Sequence, residues 1–261
     1  MTTRRPEVLV VQNSPTSGGG RLPDWLEAEG VSPNRIAGED LAPTLTGVDG
    51  IVLLGGGFMP DDDERSPWLA QERRLVVQAL QAEVPLLGIC LGAQLLAICA
   101  GGEVTEKSGE TERGSCGVTL LPAAADDAMF AELAAYGELR MIQNHEDSVT
   151  ALPPGADLLA TSDECRVEAF RVGMSAWGVQ FHPEVGAERL RSWDEAALQA
   201  DGYDRAALIA GAEADASRNE EQSRALIAAF ARVVHESAAR ADADEAAAEP
   251  ANGDEPDGTE G

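Results

Sequence analysis

The stretch Val84-Pro-Leu-Leu-Gly-Ile-Cys-Leu-Gly-Ala-Gln94 reads as an apolar strand that turns sharply into a helix. The strand is Val84–Ile89, and the helix is Leu91–Ala100, closed by Gly101-Gly102. Cys90 stands at the turn between them. A chain that doubles back this tightly needs small residues two positions before and after the turn, and Gly88 and Gly92 stand there. The same position puts Cys90 at a helix start, where unpaired backbone N–H groups and the positive end of the dipole favour thiolate over thiol. The N–H of Leu91 then points at a carbonyl under attack. Gln94, one helical turn on and on the face of Cys90, is placed to touch a bound substrate. Taken alone, a cysteine in an apolar run is a small core residue, which is the reading for Cys99 within Ile98-Cys99-Ala100.

Outward from this elbow, short apolar runs alternate with amphipathic ones, the pattern of a mostly parallel sheet flanked by helices. Glu7–Gln12 reads as the first strand, Asp24–Glu29 as part of a first helix, and Asp49–Leu54 as another buried strand. Pro67–Ala82 reads as a helix with Trp68, Leu75, Val76 and Ala79 on one face and Pro67 in its first turn. Further strands are expected at Gly117–Leu121, Leu139–Gln143, Asp157–Thr161, Val167–Val172 and Ala176–Phe181, as an extension of the sheet. From Gly186 the chain is helical, with an apolar stripe of Leu226, Ile227, Phe230, Val233 and Val234 suited to packing back on the domain. The expected organisation is one α/β domain over residues 1–238, with a core at 7–185 and a helical extension at 186–238. Residues 239–261, rich in Ala, Asp, Glu, Pro and Gly, read as a disordered acidic tail.

Composition narrows the function. A net charge of -27, with Lys107 the sole lysine, argues against nucleic-acid binding, which needs dense positive surface. No run reaches the roughly 18 apolar residues of a membrane helix. The apolar run after Arg4-Arg5 is too short for a signal peptide, so a cytoplasmic location is expected. Cys90, Cys99, Cys116 and Cys165 form no CxxC pair, so no metal site and no disulfide framework is suggested.

Two other segments carry chemistry. In Gly178-Val-Gln-Phe-His-Pro-Glu184 an apolar strand delivers His182 to its end. Positions two apart in extended chain share a side, so Glu184 can hold one ring nitrogen while the other faces a thiol. A lone histidine there is as readily structural as catalytic, but of the three histidines only this one combines a carboxylate at plus two with a preceding apolar strand. After Leu54, Gly55-Gly56-Gly57 lets backbone approach a ligand and present N–H groups to an oxyanion, although three glycines alone also suit a plain loop. Gly18-Gly19-Gly20 also follows a strand but lacks the helix-start fingerprint of a phosphate loop.

The order of glycine turn, cysteine elbow and His-Pro-Glu resembles the class I, or triad, glutamine amidotransferases. The likeness spans roughly residues 7–185 and rests on GICLGAQ at 88–94 and GVQFHPE at 178–184. Together with DGIVLLGGG, SPWLAQE and QNHEDSV, it is similar to the stand-alone branch akin to the amidotransferase domain of GMP synthase. The resemblance implies a flavodoxin-like three-layer fold with a mostly parallel central sheet, and a glutaminase that needs no cofactor. It implies Cys90 as nucleophile, His182 as general base and acid, and Glu184 as its orienting partner. Oxyanion contacts fall to the Gly56 and Leu91 backbones, and substrate contacts to Gly55, Gln94, Asn144, His145, Glu146 and Asp147, with Asp147 meeting the α-ammonium. The chain departs from the pattern at Gly57, where many relatives have proline, and at Glu146, where many have glycine. The expected role is to supply ammonia to a separate synthetase subunit. The alternatives are a γ-glutamyl amide or peptide hydrolase with the same triad, and a catalytically silent regulatory homologue.

Overall fold

The computed structural model describes residues 4–15, 17–44 and 46–248. Strands β1 (Glu7–Gln12), β2 (Ser32–Ala37), β3 (Gly50–Leu53) and β4 (Leu86–Ile89) are joined through helices α1 (Leu22–Ala28) and α2 (Leu69–Ala82). Helix α3 (Leu91–Cys99) follows β4 directly. Then come β5 (Glu103–Thr105), β6 (Glu112–Leu120), β7 (Glu138–His145), β8 (Ser148–Ala151), β9 (Asp157–Thr161), β10 (Ala169–Val172) and β11 (Ala176–Val179). Helices α4 (Glu195–Ala200), α5 (Arg205–Ala214) and α6 (Ala216–Ala248) close the described chain.

Among the described residues the main sheet runs β2-β1-β3-β4-β11-β10-β9-β6-β7, and β5 pairs with β8 apart from it. The pairings from β2 to β11 are parallel. Those from β11 to β7 are antiparallel, the extension expected of the shorter segments. Strands covered on both faces need apolar residues at both parities, which is why the parallel ones read as unbroken apolar runs. Val52, Leu87, Ile89, Trp177 and Val179 pack on the side of α1 and α6, whereas Ile51, Leu53, Leu86 and Ala176 pack on the side of α2 and α3. The result is a three-layer α/β domain. Leu226, Ile227, Phe230, Val233 and Val234 of α6 are all buried in the first of these cores, each worth roughly 1.5–3 kcal/mol by burial.

The structure corrects several local readings. Helix α2 begins at Leu69 with Trp68 as its N-cap, so Pro67 lies ahead of the first turn. β2, β5 and β8 carry too few consecutive apolar residues to announce themselves, and β6 begins at Glu112 because its antiparallel pairing with β7 tolerates polar positions. β11 ends at Val179, short of Phe181. Helix α6 continues to Ala248, ten residues into the segment whose composition suggests a disordered tail. Alanine and glutamate favour helix, and extending a helix already packed on the sheet needs no new nucleus. The remainder of that segment, 249–261, lies outside the described residues.

Candidate active site

The elbow at Cys90 is built by glycine. Cys90 has φ 52° and ψ −107°, a conformation that costs an L-residue energy and persists where the surroundings enforce it. A β-carbon on Gly88 would lie 2.4 Å from the Gly92 carbonyl, and one on Gly92 would lie 2.2 Å from the Leu53 carbonyl oxygen. Strand β4 therefore folds against its own helix with no room for a side chain at either position. The Cys90 N–H donates to the Val179 carbonyl at 2.8 Å, so the elbow is tied to β11, the strand that leads to the histidine.

Parallel pairing of Gly178 with Gly88 and Val179 with Ile89 brings the two motifs side by side. Beyond β11 the chain bends, and the His182 N–H donates to the Ile142 carbonyl of β7 at 2.8 Å. His182 Nδ1 lies 2.8 Å from Glu184 Oε1. The two side chains meet across a turn through Pro183, not along an extended strand, so the expected pair forms by a different geometry. Burial disfavours the imidazolium, but the Glu184 charge and the Cys90 contact outweigh it and raise the His182 pKa well above its ordinary value.

The glycine turn follows β3. Gly55 lies under His182, where a β-carbon would come within 3.0 Å of Cε1. Gly56 and Gly57 line the space in front of Cys90, and a β-carbon on Gly57 would meet nothing within 4 Å. Behind the turn, Asn13 Nδ2 donates to the Leu54 carbonyl at 3.1 Å and to Glu72 Oε2 at 3.2 Å, while Trp68 Nε1 donates to Asn13 Oδ1 at 3.0 Å. Glu72 is fully buried, and that burial pushes its pKa up to about 7. The folded protein thus holds this proton more tightly than the unfolded chain does, and stability from Glu72 is present below about pH 4.5 and lost as pH rises through about 7. Glu72→Gln should match the wild type in urea unfolding near pH 4 and exceed it by on the order of 3 kcal/mol near pH 8.5. A gap that does not widen with pH would refute a neutral buried carboxyl.

Two clefts meet at Cys90. One, of about 840 Å³, is lined by His182, Glu184, Arg189 and Trp193; the other, of about 340 Å³, by Gln94, Arg113, Glu146, Asp147 and Asp201. Asn144, Gly56 and Gly57 border both. Leu91, first residue of α3, is buried beneath them. Of the residues expected to touch substrate, Gln94 is buried, with its amide donating to the Asp147 carbonyl at 3.1 Å. Asp147 Oδ1 accepts the Lys107 N–H at 2.8 Å, and His145 turns its ring to Glu112 at 3.3 Å. Glu146 faces Arg113 at 3.8 Å.

Four further residues at the site carry no sequence signal strong enough to single them out. Gln180 Nε2 lies 3.6 Å from Cys90 Sγ, with Gln94 Nε2 3.5 Å from its Oε1; it stands inside the GVQFHPE motif, two places before the histidine. Arg113 reaches the smaller cleft through the β6–β7 register that sets it opposite Asn144, and its NH2 lies 3.9 Å from Asp201. Asp201 comes from the end of α4, which no motif marks. Arg21 donates to the Val185 carbonyl at 2.7 Å and to Asn219 Oδ1 at 2.9 Å, and its own N–H donates to the Glu184 carbonyl at 2.8 Å. Gly20 makes this clasp possible, because a β-carbon there would sit 2.0 Å from the Glu184 oxygen. The first glycine triplet thus serves the His-Pro-Glu turn.

A cysteine at a strained strand-to-helix elbow, a paired histidine and carboxylate and a facing glycine turn on this sheet define a class that comparison with known proteins identifies. The family model of class I glutamine amidotransferases matches residues 28–192, and the chain belongs to that family. It is 40% identical over 144 residues to a glutamine-hydrolysing GMP synthase subunit of Haloarcula marismortui, covering 55% of this chain and 68% of that one. It is 37% identical over 146 residues to a glutamine-hydrolysing GMP synthase of Porphyromonas gingivalis, covering 56% of this chain and 26% of that one. The matched part is therefore about a quarter of that relative's length. Among solved structures, a glutamine amidotransferase of Thermotoga maritima aligns with a TM-score of 0.77 at 30% identity, over 88% of this chain and 99% of that one. Among the described residues no helix is long and apolar enough to cross a membrane.

Proposed function

We propose that the protein hydrolyses the side-chain amide of glutamine through a γ-glutamyl thioester on Cys90 and releases ammonia to a separate acceptor chain. The observation that carries this reading is the placement of Cys90 between two clefts, beside a His182 that is itself paired to Glu184 at 2.8 Å. The Cys90 sulfur attacks the amide carbon, and the oxyanion rests on the Gly56 and Leu91 N–H groups. The C–N bond breaks as His182 gives its proton to departing ammonia. Water then loses a proton to His182, adds to the acyl carbon and breaks the C–S bond, leaving glutamate and the free cysteine. Gln180 Nε2, 3.6 Å from the sulfur, is placed to donate to the thiolate.

The smaller cleft suits the amino-acid end of glutamine. Arg113 offers a guanidinium to the α-carboxylate, and Glu146 and Asp201 offer charge to the α-ammonium; Asp147, engaged by Lys107, is the less available partner. Glu146, where many relatives have glycine, is on this reading balanced by Arg113. A separate acceptor is supported by kinship with the Haloarcula protein, which is itself one subunit of a synthase. A second reading, hydrolysis of γ-glutamyl amides or peptides, is favoured by the size of the His182-side cleft, about 840 Å³, which exceeds what ammonia needs.

Following ammonia and glutamate release tests both readings. Wild-type enzyme should turn over glutamine, and Arg113→Gln should raise KM about tenfold with kcat nearly kept, as expected for loss of a charge-assisted contact made equally in ground and transition states. Absence of glutamine turnover with rapid cleavage of a γ-glutamyl dipeptide would replace the first reading by the second.

A further inference from the structure

A group of titratable side chains outside the mechanism lies behind the smaller cleft. Glu112 of β6, His145 at the end of β7, and Cys165 and Glu168 between β9 and β10 are all buried, and one ligand atom from each lies within 4.8 Å of every other. Glu168 Oε2 accepts from Gln143 Nε2 at 2.7 Å, and the Glu168 carboxyl also lies within hydrogen-bonding reach of Glu112 and Cys165, whereas His145 Nδ1 has no hydrogen-bond partner. Cys165 Sγ lies 3.7 Å from the Val167 carbonyl oxygen and 3.7 Å from Glu110 Oε2.

The distances bear on what holds this group together. His145 Nε2 is 3.3 Å from Glu112 Oε2. That is long for a charge-assisted hydrogen bond, which runs at about 2.7–2.9 Å. It is close to the edge of a tetrahedron of ligands at about 2.0–2.1 Å from a central ion, roughly 3.3–3.4 Å. Glu112 and Glu168 are both buried, and among the described residues His145 is the one basic side chain within 4.0 Å of either carboxyl group. A divalent ion would take the two carboxylates, the imidazole and the thiolate together as its ligands.

We propose that Glu112, His145, Cys165 and Glu168 form a closed structural site for one divalent transition-metal ion with the coordination chemistry of zinc. The mixed nitrogen, sulfur and oxygen donors suit such an ion, and four protein ligands leave no open position for catalysis. Cys165 binds as thiolate, releasing its proton to solvent. The site's neighbours in sequence, Arg113 next to Glu112 and Asn144 and Glu146 on either side of His145, line the smaller cleft. The ion therefore braces the wall against which substrate is held. No spacing signal marks this site in sequence, because its ligands come from three separate segments.

Cobalt titration tests the proposal in the full chain after chelator treatment, in a Cys90→Ala background so that the nucleophile adds no ligand. One Co²⁺ per chain should bind, with visible d–d bands of a tetrahedral centre and a near-ultraviolet thiolate-to-cobalt band, and one Zn²⁺ should displace it and raise the melting temperature. Cys165→Ser should lose the thiolate band, and Glu168→Gln, which keeps the side chain's shape, should weaken binding at least about tenfold. No stoichiometric cobalt binding by the parent, or unchanged spectra and affinity in both variants, would overturn the site and leave the cluster held by shared protons.

Discussion

Cys90→Ala is expected to lower glutamine-dependent ammonia release by roughly five to six orders of magnitude while leaving the fold intact. The size follows from the proposed mechanism. Without the sulfur there is no acyl-enzyme, and only binding and the oxyanion contacts remain to assist direct attack by water. Alanine removes one atom at a residue that is 7% exposed, so the elbow and its hydrogen bond to Val179 should survive. Glu184→Gln should lose less, because in the proposed mechanism the carboxylate orients His182 and does not itself react. The check is ammonia release alongside the melting curve, with a glutamine-analogue electrophile to follow the thiol. Burial pushes the Cys99 thiol up to about 11 and the Cys116 thiol up to about 12, so neither competes well for that reagent at neutral pH. Undiminished release by the alanine variant would remove Cys90 from the mechanism.

The second large effect is on folding. A β-carbon at Gly92 would stand 2.2 Å from the Leu53 carbonyl oxygen and 2.8 Å from the Leu53 side chain, and neither can retreat from the middle of the core. Gly92→Ala should therefore cost at least about 3 kcal/mol, seen as a melting point lowered by several degrees or as loss of soluble protein. Gly57→Ala is the matched control, since its β-carbon enters open space. Equal melting points for wild type and Gly92→Ala would show that the elbow is not packed as described.

The parts that sequence discloses best are those where sterics leave few options. The Gly88 and Gly92 spacing around Cys90 is readable because no other residue fits, and the buried parallel strands are readable because two covered faces demand unbroken apolar runs. What stays hidden depends on long-range register or on polar edges. β2, with its Ser-Pro-Asn-Arg start, looks like loop until β1 pairs with it. Arg113 and Asp201 become cleft residues only once β6 lies against β7 and the C-terminal helices fold over both. Gln180 stands in plain view within its motif, yet its closeness to Cys90 follows from the parallel register of β4 and β11. His182 and Glu184 share a side in extended chain, but it is a turn that brings them together. Composition alone misjudges the helical stretch 239–248, because it takes no account of a docked helix that can continue through alanine and glutamate.

The pairing of β4 with β11 also bears on how the molecule comes into being. These neighbours in the sheet are separated in the chain by the whole antiparallel extension, so closing them is a high-contact-order event and a slow one. Until it happens, β4 presents an unpaired edge and Cys90 has neither the Val179 hydrogen bond nor a histidine beside it. A chain emerging from the ribosome therefore carries an aggregation-prone edge, and Cys90 lacks the histidine that the proposed mechanism needs. On the proposed mechanism, Cys90 becomes reactive only with the last parallel strand, so acylation by glutamine is expected to wait for a fold that can release the product.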